Sequence, residues 1–290
     1  MELNQLRYFL TVARTGSFVK AAEECGVSQP SLSQQIKKLE SDLGAPLFDR
    51  LGRTVKLTRC GEALLPAAME IVRKTVETEK LLSSLQSDDQ GKLTIGVIPT
   101  ILPYSMAKPL AAFRDAHKSV ELEIQESTTE KLLEGLRAGQ IDIAILALPI
   151  KQPEIVCSEL FREPLMVAVP EGHPLAQVKA LQVPQLITER MLLLREGHCL
   201  RDDVLTICSR AKVQFQQVFE SDHLASIFAL VASGFGVSIV PVLASQGHGC
   251  SLVPLEPPSV RRIGYAQVKG HHSLPVQKRL IDFLRKWKWR

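Results

Sequence analysis

No apolar run in this sequence is long enough to cross a membrane. The longest, Ile143–Ile150, covers eight residues and is interrupted by Pro149, against the roughly 20 apolar residues a spanning helix needs. The opening Met1-Glu2-Leu3-Asn4 has no basic start, apolar core or small-residue cleavage site, so no secretory signal is expected. The expected location is the cytoplasm, with no membrane partner. There is no Cys-x-x-Cys pair either. Six cysteines (Cys25, Cys60, Cys157, Cys199, Cys208 and Cys250) are scattered along the chain. In a reducing compartment that pattern builds neither a disulfide framework nor a zinc site, and most free cysteines behave as small hydrophobes. His117, His173, His223, His248, His271 and His272 have no ligand spacing. No metal and no cofactor are expected. The net charge of +4 is mild and by itself argues for no nucleic-acid partner.

What is present is ordinary in bulk. Hydrophobic residues make up 45% and charged residues 23% of 290, which excludes a disordered chain, a collagen-like repeat and a disulfide-stapled miniprotein. The length allows roughly two domains. The placement of charge says more than its total. Lys37, Lys38, Arg50, Arg53, Lys56 and Arg59 stand against Glu40, Asp42 and Asp49 between residues 28 and 59.

The first 60 residues read as short helices. Leu3, Leu6, Phe9, Leu10 and Ala13 recur at helical spacing before Gly16. A second short helix follows from Ser17 to Glu24 and stops at Cys25-Gly26-Val27. Ser28 is a good cap, with Pro30 in the first turn, for a third helix to about Leu43. Two such helices joined by a tight glycine-containing turn form a helix-turn-helix. Leu47–Arg50 and Val55–Leu57, turning at Leu51-Gly52-Arg53, read as a small β-wing. In this motif the second helix enters the major groove with its N-terminal residues against the bases. Gln29, Ser31, Ser33 and Gln34 can read base edges there, behind Pro30, while Lys37, Arg50 and Arg53 can neutralise phosphates.

From Thr58 to about Ser87 the pattern is one long helix. Leu64, Ala68, Ile71, Thr75, Thr78, Leu82 and Leu85 alternate four and three apart, a stripe suited to a helix–helix seam. Pro66 is expected to kink the helix or mark its early turns. Ser87–Gly91 is a polar break. Beyond it, strands and helices alternate: strands near 93–98, 120–125, 141–146, 164–169, 191–194, 213–218 and 237–240, with helices near 130–138, from about 200, and over 222–232. Two such series predict two mostly parallel sheets with a crevice between them, where ligands sit outside the C-terminal ends of strands.

Leu6-Arg7-Tyr8-Phe9, Gly16-Ser17-Phe18, Ala21-Ala22, Val27–Ser33, Leu39-Glu40, Gly44–Arg50, Leu57-Thr58 and Gly61 together resemble the N-terminal signature of LysR-type transcriptional regulators. The resemblance implies an α/β protein with an N-terminal winged helix-turn-helix (1–58), a linker and dimerisation helix (59–90) and an effector-binding region (91–290). That region would resemble periplasmic binding proteins, with one subdomain over about 91–161 and 267–290 and the other over about 162–266. It also implies promoter DNA as partner, a homodimer through the linker helix assembling into a homotetramer, and RNA polymerase as a further contact.

The effector region holds one chemically pointed stretch, Arg195-Glu196-Gly197-His198-Cys199-Leu200-Arg201-Asp202, with Cys208 nine residues beyond Cys199. Cys199 falls at a helix start beside His198 and Arg201, and both a helix N-terminus and neighbouring cations stabilise a thiolate. Nine helical residues separate Cα atoms by about 13.5 Å, whereas a disulfide needs roughly 7 Å or less. A Cys199–Cys208 bond therefore demands local unwinding. The expected chemistry is a sulfenic acid at Cys199 resolved by Cys208, with an apolar core role for Cys208 as the alternative.

Ile98-Pro99-Thr100, Pro103-Tyr104 and Gly197–Asp202 resemble the peroxide-sensing OxyR branch of the family. That resemblance implies a peroxide site at Cys199 lined by Thr100, Thr129 and His198, with Arg261 joining from the Arg261–Gly264 stretch and Arg201 as a further pocket residue. A different reading uses the same residues for a small organic effector. Thr100 and Thr129 would then hydrogen-bond a carboxylate at a helix N-terminus, and no redox chemistry would follow. An enzyme with Cys199 and His198 as nucleophile and base is not expected, because sequence neighbours rarely face each other in those roles.

Overall fold

The structure, a computed structural model, describes residues 1–51, 54–85, 91–213, 216–245, 247, 249–270 and 274–289. It divides into two compact units, residues 1–82 with 137–139 and residues 83–136 with 140–290.

The first unit contains α1 (Leu3–Thr15), α2 (Phe18–Glu24), α3 (Gln29–Leu43), β1 (Phe48–Leu51), β2 (Thr54–Leu57) and most of α4 (Arg59–Leu85). Local chemistry starts the helices where the sequence predicts. The Ser17 hydroxyl accepts from the Lys20 amide at 3.4 Å and Ser28 from the Ser31 amide at 3.3 Å, each satisfying an amide that the first turn leaves free. Leu32, Ile36 and Leu39 bury one face of α3 against Leu6, Phe9, Ala21 and Leu47, and the spacing leaves the opposite face to solvent. Glu40 Oε1 accepts from the Leu47 and Phe48 amides at 2.8 and 3.3 Å, tying the wing to α3. The wing strands pair antiparallel from Phe48↔Leu57 to Leu51↔Thr54.

The long-helix stripe is only partly free. Leu64 and Ala68 pack into the winged-helix core, whereas Ile71 and Leu82 are exposed. The helix continues through Pro66. Thr75 and Thr78 donate to the Ile71 and Lys74 carbonyls at 3.0 and 2.8 Å, so their hydroxyls are satisfied within α4.

The second unit runs β3 (Gly91–Val97), α5 (Ala107–Ala116), β4 (Val120–Glu126), α6 (Thr129–Arg137), β5 (Ile143–Leu148), β6 (Ile155–Pro170), β7 (Arg190–Leu194), α7 (Cys199–Arg210), β8 (Gln216–Ser221), α8 (Leu224–Ala232), β9 (Ser238–Pro241), β10 (Cys250–Val268) and α9 (Pro275–Lys286). The α/β class is as expected, but the two separate, mostly parallel sheets are not. A single six-stranded mixed sheet has the order β4-β3-β5-β10-β6-β9, and a small sheet pairs β7 with β8. Among the described strands, β3 pairs parallel with β4 and β5, and β7 with β8, while β10 with β5 and β6, and β6 with β9, are antiparallel. The correction comes from β6 and β10, which pair antiparallel over most of their length. Their first and last halves serve different cores. Phe161 and Ile263–Ala266 lie in one, with β3, β5, α6 and α9; Leu165–Val169, Val253 and Leu255 lie in the other, with β7, α7 and α8. Such strands have no helix between them to mark a boundary, so an alternation of strand and helix patterns cannot reveal them. No helix among the described residues is long and apolar enough to cross a membrane.

Candidate functional site

Three strand-to-helix turns carry the candidate effector residues. Thr100 follows β3, Thr129 opens α6 after β4, and Cys199 opens α7 after β7. Each lies beyond the C-terminal end of a parallel strand, the position ligands favour in open α/β sheets. Gly197, with φ of 93°, makes the turn before α7 in a conformation that a side chain rarely adopts. His198 occupies the cap position of α7 without capping it through its side chain.

Arg261 organises the cluster. It stands directly across from Glu163 in the β10–β6 register, where the two cores meet. Its Nε donates to Glu163 Oε2 at 2.7 Å, and both side chains are 1% exposed. The other two guanidinium nitrogens donate to Thr100, one to Oγ1 at 3.1 Å and one to the carbonyl oxygen at 3.2 Å. Burial raises the Glu163 carboxyl even though Arg261 pulls it down.

The thiol itself reverses the expectation from sequence. Burial pushes the Cys199 thiol up, outweighing Arg261 and the Thr129 hydroxyl, which favour the thiolate; Asp203 and Asp202 oppose it further. The cation that reaches Cys199 is thus Arg261, from a distant strand, and a helix start alone does not ionise the sulfur. The Thr129 hydroxyl faces the thiol but is buried without a well-formed hydrogen bond. Asp203, four residues along the same helix, has its carboxyl pushed up to about 6 by burial, with Arg261 lowering it and Asp202 raising it. Its Oδ2 is buried and has no hydrogen-bond partner among the described residues.

The structure therefore brings Thr100, Thr129, Cys199 and Arg261 together, and adds Glu163 and Asp203. Arg201 is a correction. It donates to Glu220 Oε1 at 2.6 Å and to the Leu194 carbonyl at 2.9 Å, so it braces β7 and β8 and does not join the thiol. His198 is buried with its Nε2 3.8 Å from Asp222 Oδ1. Burial lowers its pKa more than Asp222 restores it, and its charged neighbours are Asp222, His223 and Arg195. Cys208 is buried in the second core, while Cys199 packs against the first. Nine residues are two and a half turns of helix, so the two thiols point to opposite sides of α7. Both are free. Asp203 had a local signal, four residues from Cys199 on one helical face. Glu163 had none, being 98 residues from its partner.

The candidate DNA-reading residues are separate from this cluster. Gln29, Pro30, Ser31, Gln34 and Lys37 are exposed on the free face of α3, and Ser33 is half-buried. Lys38 is drawn to Glu2 at 2.7 Å. Lys37 has no ionic partner among the described residues. Arg53 and the side chain of Arg50 lie outside the described residues, as do His248, His271 and His272.

Comparison with known proteins fits this arrangement. Residues 3–62 match the bacterial regulatory helix-turn-helix protein, lysR family, and residues 86–289 match the LysR substrate binding domain. The chain belongs to the LysR family of DNA-binding transcriptional regulators. OxyR proteins are among the relatives it resembles, alongside the uncharacterized regulator YybE of Bacillus subtilis, at 32% identity over 98% of each chain. It is 33% identical to the DNA-binding transcriptional dual regulator OxyR of Escherichia coli, over 98% of this chain and 95% of that one. A full-length OxyR structure from Pseudomonas aeruginosa aligns with a TM-score of 0.73 at 32% identity, covering 99% of this chain and 95% of that one. A hydrogen-peroxide-bound OxyR from Corynebacterium glutamicum aligns with a TM-score of 0.65 at 30% identity, covering 98% and 92%.

Proposed function

We propose that this regulator senses hydrogen peroxide through Cys199 and converts oxidation of that thiol into altered promoter binding. The observation that carries the reading is the state of Arg261. Each nitrogen of its guanidinium is already used, by Glu163 and by Thr100. A carboxylate effector would have to compete with the built-in Glu163 carboxylate for this cation, whereas a small uncharged oxidant needs only the thiol and nearby hydroxyls. The peroxide bound in the Corynebacterium glutamicum relative supports the same choice. Oxidation at Cys199, followed by a bond to Cys208, would unwind α7, because the two thiols face opposite sides of it. That rearrangement couples the thiol to DNA binding as a shift between two arrangements of the protein.

At the DNA end, α3 enters the major groove with Gln29, Ser31, Ser33 and Gln34 at base edges, and Lys37, Arg50 and Arg53 at phosphates. Two copies pair along α4. Its free face carries Ala67, Glu70, Ile71, Lys74 and Thr78, all exposed. Two such dimers form the tetramer on promoter DNA, where RNA polymerase is the further contact.

The test is mass spectrometry of the reduced full chain after a brief, near-stoichiometric peroxide pulse and alkylation. Fast, selective sulfenic acid at Cys199, or a Cys199–Cys208 disulfide, is expected, and Cys199→Ser should abolish the peroxide-dependent change in DNA footprint. Slow oxidation spread over all the cysteines would sink the reading and favour a small organic effector.

A further inference from the structure

We propose that Asp203 is the proton-transfer partner of Cys199. Its carboxylate takes the thiol proton as the thiolate forms, and returns it to the oxygen that leaves when peroxide is cleaved. The inference rests on the reading of Cys199 as a peroxide-reactive thiol.

Geometry supplies the first argument. Cys199 and Asp203 are one turn apart on α7, a spacing that puts their Cβ atoms about 5–6 Å apart on one face. The second argument is the unmade hydrogen bond. Asp203 Oδ2 is buried without a partner among the described residues, and an unpartnered buried carboxyl oxygen is costly. Arg261, the cation it faces, directs three of its five N–H groups at Glu163 and Thr100, and none of its hydrogen bonds satisfies Asp203 Oδ2. Asp203 is therefore a poor structural ion pair and a free proton acceptor.

The third argument is charge. The groups around the pair are Asp202 on α7, Thr129 on α6, Thr100 after β3, Arg261 on β10 and Glu163 on β6. Arg261 and Glu163 offset each other, leaving Cys199 and Asp203 to place one further negative charge in a desolvated site. The Asp203 charge disfavours ionisation of Cys199, and burial raises both groups, Asp203 to about 6. The singly charged states dominate near neutral pH. They are thiol with carboxylate, and thiolate with carboxylic acid, and they differ by one proton.

The reaction follows from the second state. The Cys199 sulfur attacks one peroxide oxygen, an S–O bond forms and the O–O bond breaks. The departing oxygen carries away the bond's electron pair, accepts the Asp203 proton and leaves as water. Sulfur is oxidised by two electrons to sulfenic acid, peroxide is reduced, and Asp203 ends as the carboxylate it began as.

Stopped-flow peroxide oxidation of Cys199 in the full chain, read by sulfenic-acid trapping between pH 5 and 8, tests this against Asp203→Asn and Asp203→Glu. Iodoacetamide alkylation runs in parallel, since departing iodide needs no proton. The wild-type peroxide rate should rise about tenfold per pH unit up to about pH 6, where Asp203 ionises, and then level off, because the reactive singly charged state stops growing. Asp203→Asn should show no plateau. At pH 7 it should hold more thiolate and alkylate faster, yet react with peroxide at least about tenfold more slowly, since a positioned acid contributes roughly 10²–10⁴. Asp203→Glu should restore the plateau. An Asp203→Asn variant that keeps the wild-type peroxide rate and plateau overturns the proposal. So does one whose peroxide and alkylation rates fall together, the mark of a structural role. If wild-type Cys199 reacts with peroxide no faster than the other cysteines, the peroxide reading itself fails.

Discussion

Removing Arg261 should expose how strongly one buried cation holds this effector region together. Arg261→Met deletes the 2.7 Å bond to Glu163 and the bonds to Thr100 at 3.1 and 3.2 Å. It also strands Glu163 in a site where its side chain is 1% exposed. Breaking a buried pair by removing one partner costs about 3–5 kcal/mol, mostly from the uncompensated charge. Glu163 can escape that cost only by taking a proton. Its carboxyl is raised by burial even with Arg261 present, and the variant should raise it further. An acid whose folded pKa exceeds its unfolded value loses stability as pH rises between the two values, by about 1.4 kcal/mol per unit. The deficit should therefore be largest at pH 8 and shrink toward pH 5. The assay is urea unfolding followed by tryptophan fluorescence. Trp287 and Trp289 both belong to the second unit, and Trp289 stacks on Phe161 at 4.2 Å, on the strand that carries Glu163. The double variant Glu163→Met with Arg261→Met should recover most of the loss, since apolar replacement of a whole buried pair is often neutral or better. A single-variant loss below about 1 kcal/mol, or a double variant that loses the sum of both singles, would refute the reasoning.

Two further outcomes concern the DNA-binding unit. A Cβ on Gly61 would collide with the Leu47 carbonyl oxygen and lie 2.8 Å from Leu57 Cδ2, so Gly61→Ala should cost about 1–3 kcal/mol through overpacking; unchanged limited proteolysis and DNA affinity would contradict this. Lys37→Ala should lower the slope of log affinity against log salt by about 1, and Lys38→Ala by less, because Lys38 is drawn to Glu2 at 2.7 Å; equal slopes for the two variants would contradict the phosphate role of Lys37.

How much was readable in advance divides along the range of the interactions involved. The winged helix-turn-helix was legible residue by residue. Its determinants are serine caps acting three residues away, apolar positions repeating within a few turns, and glycines where helices end. The strand and helix pattern of the effector region was legible for similar reasons. Its sheet was not, because pairing between β6 and β10 joins segments about a hundred residues apart and leaves no periodic trace. Cys199 was legible from its place at a helix start, Thr100, Thr129 and Arg261 entered through family resemblance, and the structure brings the four together. It also removes Arg201 from the group, since Glu220 and the Leu194 carbonyl engage it more directly.

The sequence by itself determined the local elements, the order of the DNA-reading and effector regions, and the cysteine at a helix start. Those properties depend on neighbours within one or two turns. Tertiary structure alone decided the ionisation of that cysteine and the company it keeps. The pKa of Cys199 is a balance between desolvation, which raises it, and Arg261 and Thr129, which lower it. Both sides of that balance come from packing against β10 and α6. A helix start beside a histidine and an arginine in the sequence points to a thiolate, but the folded chain buries the thiol and supplies a different arginine.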